Sequence, residues 1–291
     1  MHKAKGIDIS VWQDKNSTPQ MFNFEKARDM GISFSGIKTS QSLWADPDYA
    51  MNWFNAKKYV YRLPYHFLVW ETDPKRQAET FWSLLEKDTF GLLPLTSDFE
   101  WWKVTPPEAM DKLYNFMERL KELSSPLPLG IYTAKTFWEP NGSDNCYWNQ
   151  YYLWLCDVYG AVEVPKPWTD WAFHQYTFKL DGLAYGSESL DLDGDYFNGT
   201  REEMIVKFNL PELDVAPPII LLPIVNNLYR VETMVTIRTL PSLNAPGVGY
   251  LTVGTLLEIV EIKEADNYLW GKHSKGWSAI CKLGFRYLTK V

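Results

Sequence analysis

Across the first 200 residues, short apolar runs alternate with stretches whose apolar positions recur at helical spacing. Runs at 6–10, 33–39, 61–67, 93–99, 129–133, 152–156 and 171–176 read as strands. Most are apolar throughout, as strands covered on both faces are. Strands separated by helices predict parallel βα units, closed into a barrel or left as an open α/β sheet. Two helix starts carry their own signals. Asp73-Pro74 puts a capping carboxylate before a first-turn proline, and Thr105-Pro106-Pro107-Glu108 has the spacing of a capping box. After the second, Met110, Leu113, Tyr114, Met117 and Leu120 form a helical stripe expected to pack on the sheet.

Near Leu210 the pattern breaks. Pro211, Pro217, Pro218 and Pro223 punctuate Ile219-Ile220-Leu221-Leu222, which suits an ordered Pro-rich linker better than a helix. From about Tyr229 onward, short alternating segments separated by Pro-Ser, Ala-Pro-Gly and Ser-Lys-Gly turns predict a small all-β barrel. The expected organisation is a barrel domain over 1–208, a linker over 209–227 and a second domain over 228–291.

Composition removes several classes of function. With 46% hydrophobic residues the chain can bury a large core, so disorder is excluded. It has no uncharged apolar run of 18 residues, and its first residues lack the apolar stretch of a secretory signal. Neither membrane insertion nor a visible export signal is expected. A net charge of −7, with no basic run longer than two residues, argues against nucleic acid. Cys146, Cys156 and Cys281 show no Cys-x-x-Cys pair and the 4 histidines no ligand spacing, so no metal site or disulfide framework is expected. A Cys146–Cys156 bridge is the one pairing considered. The 16% aromatic content, with 14 Trp, exceeds the needs of an ordinary core and gives carbohydrate recognition a modest lift.

The chemistry points to Asp98-Phe99-Glu100, which closes the apolar run Leu92-Leu93-Pro94-Leu95. Both acids then sit at the C-terminal end of a strand, where α/β barrels build their sites, and the two-residue period puts both on one face. Two adjacent carboxylates do not both ionise readily, so one keeps a proton and can act as a general acid on a glycosidic bond. Asp8, in the first strand run, opens onto the same barrel face, together with Lys38, Tyr65 and His66. His66 reads as a satisfied strand histidine rather than a catalyst.

At these residues the sequence resembles the glycoside hydrolase family 25 (Chalaropsis-type) lysozymes. The opening Gly6-Ile7-Asp8-Ile9-Ser10-Val11-Trp12-Gln13, then Phe34-Ser35-Gly36-Ile37-Lys38-Thr39, Tyr65-His66-Phe67, Asp98-Phe99-Glu100 and Gly130-Ile131-Tyr132-Thr133 follow the family order. Leu153-Trp154-Leu155, Gln175-Tyr176 and Phe197-Asn198-Gly199-Thr200 continue it. The resemblance implies an α/β fold, an irregular (β/α) TIM-like barrel. It implies cleavage of the β-1,4 bond after N-acetylmuramic acid in peptidoglycan, without cofactor or metal. Glu100 would be the general acid. Asp98 would be either the nucleophile or the group that orients the substrate's own acetamide, and Asp8 an electrostatic support. Lys38, Tyr65, Tyr132, Trp154, Gln175 and Asp193 would line the groove, with Asp191 the rival to Asp193. Two positions depart from the family: Gln41 stands where an acid is usual, and Leu63-Pro64 replaces a usual glycine.

From about 231 to 291 the sequence resembles a bacterial SH3 domain, carried by Val235-Thr236-Ile237-Arg238-Thr239-Leu240-Pro241-Ser242, Val253-Gly254-Thr255, Trp270-Gly271-Lys272 and Gly276-Trp277. That implies a small SH3-like barrel binding the cell wall. Together the readings predict a phage or prophage endolysin, held in the host cytoplasm until lysis. The alternatives are a secreted autolysin, a barrel hydrolase acting on chitin-like polymers, and a glycan-binding protein that has lost catalysis.

Overall fold

A computed structural model describes residues 2–15, 18, 20–101, 105–213, 228–282 and 285–291. Its N-terminal part is built from β1 (Lys5–Ile9), α1 (Phe24–Asp29), β2 (Ile32–Gln41), β3 (Trp44–Ala45), α2 (Tyr49–Ala56), β4 (Tyr61–Phe67), α3 (Pro74–Leu85) and β5 (Leu95–Asp98). It continues through α4 (Ala109–Ser124), β6 (Leu129–Ala134), α5 (Lys135–Asn141), β7 (Tyr152–Cys156), β8 (Phe173–Asp181), α6 (Gly182–Tyr185), β9 (Asp191–Phe197) and α7 (Arg201–Phe208).

The strands run β1-β9-β8-β7-β6-β5-β4-β2, and β1 pairs back onto β2 to close the ring, with β3 appended to β2. Pairing is parallel from β1 through β2, β4, β5, β6 and β7 to β8. It is antiparallel on both sides of β9. The barrel is therefore mixed, and β9 is a strand that the apolar pattern does not announce. Its sequence Asp191-Leu192-Asp193-Gly194-Asp195-Tyr196-Phe197 holds three aspartates and a glycine, residues of low strand propensity. Pairing on both edges imposes the strand where local preference does not.

The two-residue period sorts side chains into two layers. Phe34, Tyr61, Leu63, Leu93, Tyr132, Trp154, Phe173 and Phe197 fill the barrel interior, closed at one end by Met204 and Leu210. Ile7, Ile9, Ile37, Leu95, Ile131, Leu153 and Leu155 belong to a second cluster outside the ring, packed under Phe81, Leu84, Leu113 and Phe116 of the helices. In α3, Asp73 accepts from the Arg76 amide at 2.9 Å and Pro74 fills the first turn, as the sequence predicts. The Thr105 capping box does not form. Helix α4 begins after Glu108 without a side-chain cap, and of its predicted stripe Tyr114 is 45% exposed while Phe116 takes the buried position.

His66 lies on the outer face of β4, not in the barrel. Gln77 uses its amide nitrogen on the Val69 and Thr72 carbonyls, so its oxygen must accept from His66 Nε2, leaving Nδ1 to accept from Ser40. Burial pushes this imidazole down to about 3, and it stays neutral.

The C-terminal part corrects the expected SH3-like barrel. It comprises β10 (Leu228–Val231), β11 (Val235–Arg238), β12 (Gly247–Leu251), β13 (Leu256–Glu258), β14 (Glu261–Ala265), β15 (Tyr268–His273), β16 (Gly276–Lys282), β17 (Phe285–Arg286) and β18 (Leu288–Lys290). One sheet runs β13-β10-β18. The other runs β12-β11-β16-β15-β14, with β17 on β16, and among the described residues no pairing closes either into a barrel. The break falls at Tyr287. This residue separates β17 and β18, which pair in different sheets, and its amide and carbonyl bond to Ile280 and Glu232.

Beside that break, Arg286 is fully buried against the N-terminal barrel. It pairs with Asp14, and with Asp48 at 3.5 Å. A second ion pair, Lys57–Glu264, also joins the two parts. Of the predicted linker, 209–213 is described: Asn209 ends α7 in the left-handed conformation, and Pro211 accepts from the Tyr61 hydroxyl. Pro217, Pro218, Pro223 and the intervening Ile219-Ile220-Leu221-Leu222 lie outside the described residues.

Candidate active site

Because inward positions recur every second residue, each ring strand delivers particular side chains to the barrel mouth: Asp8 from β1, Lys38 from β2, Tyr65 and Phe67 from β4, and Asp98 from β5 with Glu100 just beyond it. Tyr132, Trp154, Gln175 and Asp193 follow from β6 to β9. They line one cavity of about 210 Å³, shared with Ser10, Trp12 and Gln13. All nine site residues proposed from sequence therefore meet. Asp191 does not join them, since it is exposed and pairs with Lys179 at 2.8 Å.

Close packing at the mouth depends on Gly36. A Cβ there would lie 2.5 Å from both the Asp8 Cβ and the Trp154 ring, so glycine lets these two side chains meet behind β2. Trp154 is held by edge-on contacts with Tyr132 and Tyr65, at ring-centre distances of 5.0 and 5.8 Å. Gln175 is held from two sides. Its oxygen accepts from the Tyr132 hydroxyl at 2.9 Å and the Cys156 thiol at 3.1 Å, which turns its amide nitrogen toward Asp8 at 2.9 Å. Cys156 is thus a free thiol serving the site, and Cys146 is free and exposed.

The rim comes from a loop the sequence also encodes. Ser10 and Gln13 form a capping box around the short turn Val11–Gln13, and Asp46 accepts from the Val11 amide. That turn leaves Trp12 78% exposed at the cavity edge. Ser10-x-x-Gln13 was a legible signal for it.

Electrostatically the mouth is overloaded with acid. Burial raises Asp98 well above the usual carboxylate range, Glu100 raises it further, and Lys38 partly offsets both. Glu100 is raised by burial and then by Asp193, and Lys38 lowers it. Asp193 is pushed up to about 6 by burial and Asp191. The Asp98–Glu100 pair titrates as a unit, and the direction for both members is upward, because one cation faces several dry carboxyls. Lys38 Nζ donates to Gln41 Oε1 at 2.9 Å, so the neutral residue at this departure from the family leaves the lysine's charge to the carboxyls. Asp98 Oδ1 is buried without a hydrogen-bond partner among the described residues.

One residue of this cluster was missed. Asp195, fully buried beneath the cavity, accepts from Trp154 Nε1 at 2.8 Å and lies against Asp8. Counting two residues on from Asp193 would have found it, had β9 been recognised as a strand.

This arrangement can hold a proton near neutral pH beside an ionised carboxylate, with aromatic walls for sugar rings. Residues 7–181, more than half of the chain, match the family described as glycosyl hydrolases family 25. The bacterial lysozyme from Streptomyces coelicolor is similar at 22% identity and a TM-score of 0.61, covering 72% of this chain and 98% of its own. A muramidase from Trichobolus zukalii is 26% identical with a TM-score of 0.59, covering 70% and 98%. A family 25 glycosyl hydrolase from Bacillus anthracis is 22% identical with a TM-score of 0.61, covering 72% and 94%. No curated protein matches the chain.

Proposed function

Because this chain belongs to the glycosyl hydrolases of family 25 and is a glycoside hydrolase, we propose that it is a muramidase whose proton donor is Glu100. The observation that carries the reading is the convergence of Asp8, Asp98, Glu100 and Asp193 on one cavity with Lys38 as the facing cation.

Glu100 is the more accessible member of the Asp98–Glu100 pair and gives the pair's proton to the glycosidic oxygen as the bond breaks. Asp98 is the neighbouring carboxylate on the same cavity, either as nucleophile or as the group that orients the substrate acetamide. Asp8 adds negative charge near the developing oxocarbenium ion. Tyr65, Tyr132 and Trp154 offer ring faces and edges to the sugars, while Gln175 holds Asp8.

The test is digestion of purified peptidoglycan, reduction of the fragments and mass analysis. New muramitol ends are the expected result. Glucosaminitol ends would assign the other glycosidic bond, and uncut glycan with retained binding would make the protein a non-catalytic binder.

The finer reading is an endolysin that waits in the host cytoplasm and uses residues 228–291 to hold the wall. No described helix is long and apolar enough to cross a membrane. Tyr250, Val253, Leu256 and Val260 are exposed apolar side chains of the C-terminal part, available to meet the wall. Tyr250→Ser with Val253→Ser should weaken wall pelleting and spare turnover on soluble fragments. Deleting the whole part is a poorer test, since it strips Arg286 from Asp14 and Asp48.

A further inference from the structure

Asp8 and Asp195 meet inside the barrel with too few donors for two carboxylates. Asp8 accepts from Gln175 Nε2 at 2.9 Å, and the direction of that bond is fixed because Gln175 Oε1 already receives Tyr132 and Cys156. Asp195 Oδ1 accepts from Trp154 Nε1 at 2.8 Å, while its Oδ2 is buried with no donor among the described residues. Asp195 itself is wholly shielded from solvent and Asp8 is 7% exposed at the cavity wall. We propose that Asp8 and Asp195 share one proton, with Asp195 a positioning residue that holds the Asp8 carboxylate at the reacting sugar and fixes the charge of that wall.

The surroundings favour this arrangement. The interactions acting on Asp195 are burial, Trp154, Asp193 and Asp8, with no cation among them. Other titratable groups facing the pair are Cys156 from β7, Tyr176 from β8, and Tyr65 and Tyr132 from β4 and β6. Lys38 faces Asp98 and Glu100 across the cavity. Two ionised carboxylates in contact, without a cation, would repel each other in a medium that solvates neither. A single proton turns that repulsion into a charge-assisted hydrogen bond. Burial raises Asp8 well above the ordinary range and Asp195 to about 8, so the pair keeps the proton at neutral pH. The strand register explains why both acids arrive: Asp8 lies opposite Asp193 and Gly6 opposite Asp195, so Asp195 is the diagonal neighbour of Asp8 on the inner face, while the Phe34 ring fills the space that Gly6 leaves.

The kinetic arm of the test rests on the glycosidase reading, whereas the titration arm needs no substrate, so the two can fail separately. Asp195→Asn keeps the shape, with an amide nitrogen able to donate to Asp8 and an oxygen able to accept from Trp154. With aspartate carboxyl carbons labelled for NMR, the wild-type protein should show a carboxyl of this pair titrating far above the usual aspartate range of about 3.9. In Asp195→Asn that titration should vanish and Asp8 should ionise at a lower pH than in the wild type. Turnover at neutral pH should stay within about threefold for Asp195→Asn, but fall about tenfold or more in Asp195→Ala with KM little changed. An unaltered Asp8 titration in Asp195→Asn would overturn the shared proton. Wild-type turnover in the Ala variant, or equal losses in both variants, would overturn the positioning role.

Discussion

Asp88 and Asp98 are both almost completely buried, at 2% and 6% exposure, yet the protein holds their protons in opposite senses. Asp88 lies outside the ring, where Arg62 grips it with two bonds of 2.7 and 3.2 Å and Trp53 Nε1 adds a third at 2.9 Å. These donors outweigh burial and hold its carboxyl below the usual range. Asp98 lies inside the mouth with Glu100 beside it, and Lys38 is a shared cation rather than a private one, so burial prevails and its carboxyl is raised. Burial alone therefore does not decide the direction. The counter-ion does: a carboxyl given its own guanidinium serves the fold, and a carboxyl left short of charge serves chemistry at a cost in stability. The Arg286 contact with Asp14 and Asp48 lies between these cases: Arg286, with Lys290 acting on Asp48 as well, does not outweigh burial, and the two acids are pushed up to about 8 and about 7.

The sharpest way to break this contrast is to neutralise each acid in turn. Asp98→Asn should lower turnover by about 10²–10⁴-fold while the unfolding midpoint stays level or rises, because a poorly compensated charge has been removed. Asp88→Asn should do the reverse, costing about 3–5 kcal/mol in urea titrations by stranding Arg62, with turnover per folded molecule unchanged. A stability loss in Asp98→Asn as large as that in Asp88→Asn would remove the distinction.

Arg286→Met sharpens the intermediate case. The loss of stability should be about 1 kcal/mol at pH 6, where Asp14 and Asp48 can take up protons, and about 3 kcal/mol at pH 9, where they cannot. A pH-independent loss in urea titrations would contradict this.

For the wild-type protein, Asp14 and Asp195 at about 8 and Asp48 at about 7 bind protons in the folded state that the unfolded chain releases near pH 4. Their contribution is complete below the unfolded value and lost as pH rises through 7 and 8. Stability should therefore fall by at least about 1 kcal/mol between pH 6.5 and 8.5. His66 acts in the other direction: its folded value of about 3 lies below the unfolded 6.5, so its contribution is whole above 6.5 and is lost progressively as pH falls from 6.5 toward 3. His66→Phe should remove part of the acid sensitivity, an effect of about 2 kcal/mol at pH 5. Its check is the urea midpoint at pH 5 relative to pH 7.

The same contrast explains what the sequence disclosed. Strands such as β4 and β7 are covered on both faces, so their apolar runs were legible, and the two-residue period then aimed Tyr65, Trp154 and their neighbours inward. β9 was opaque because its inward positions are aspartates chosen for the mouth rather than for strand propensity, and Asp195 was lost with it. The capping box before α4 failed for a different reason. Residue spacing offers a cap, but chain geometry after Pro106-Pro107 starts the helix at Ala109 instead. In the C-terminal part the strand segments were readable, while the way they pair was not. Arg286 engages Asp14 and Asp48, which lie more than 200 residues earlier, so no local pattern reveals the contact.

The most direct test is to compare wild-type and Glu100→Gln protein for turnover on peptidoglycan fragments and for thermal unfolding in the same preparation. The account predicts turnover reduced by at least about 10²-fold with the Tm unchanged or higher. Activity within a few-fold of wild type, or a loss of activity matched by a loss of folding, would contradict it.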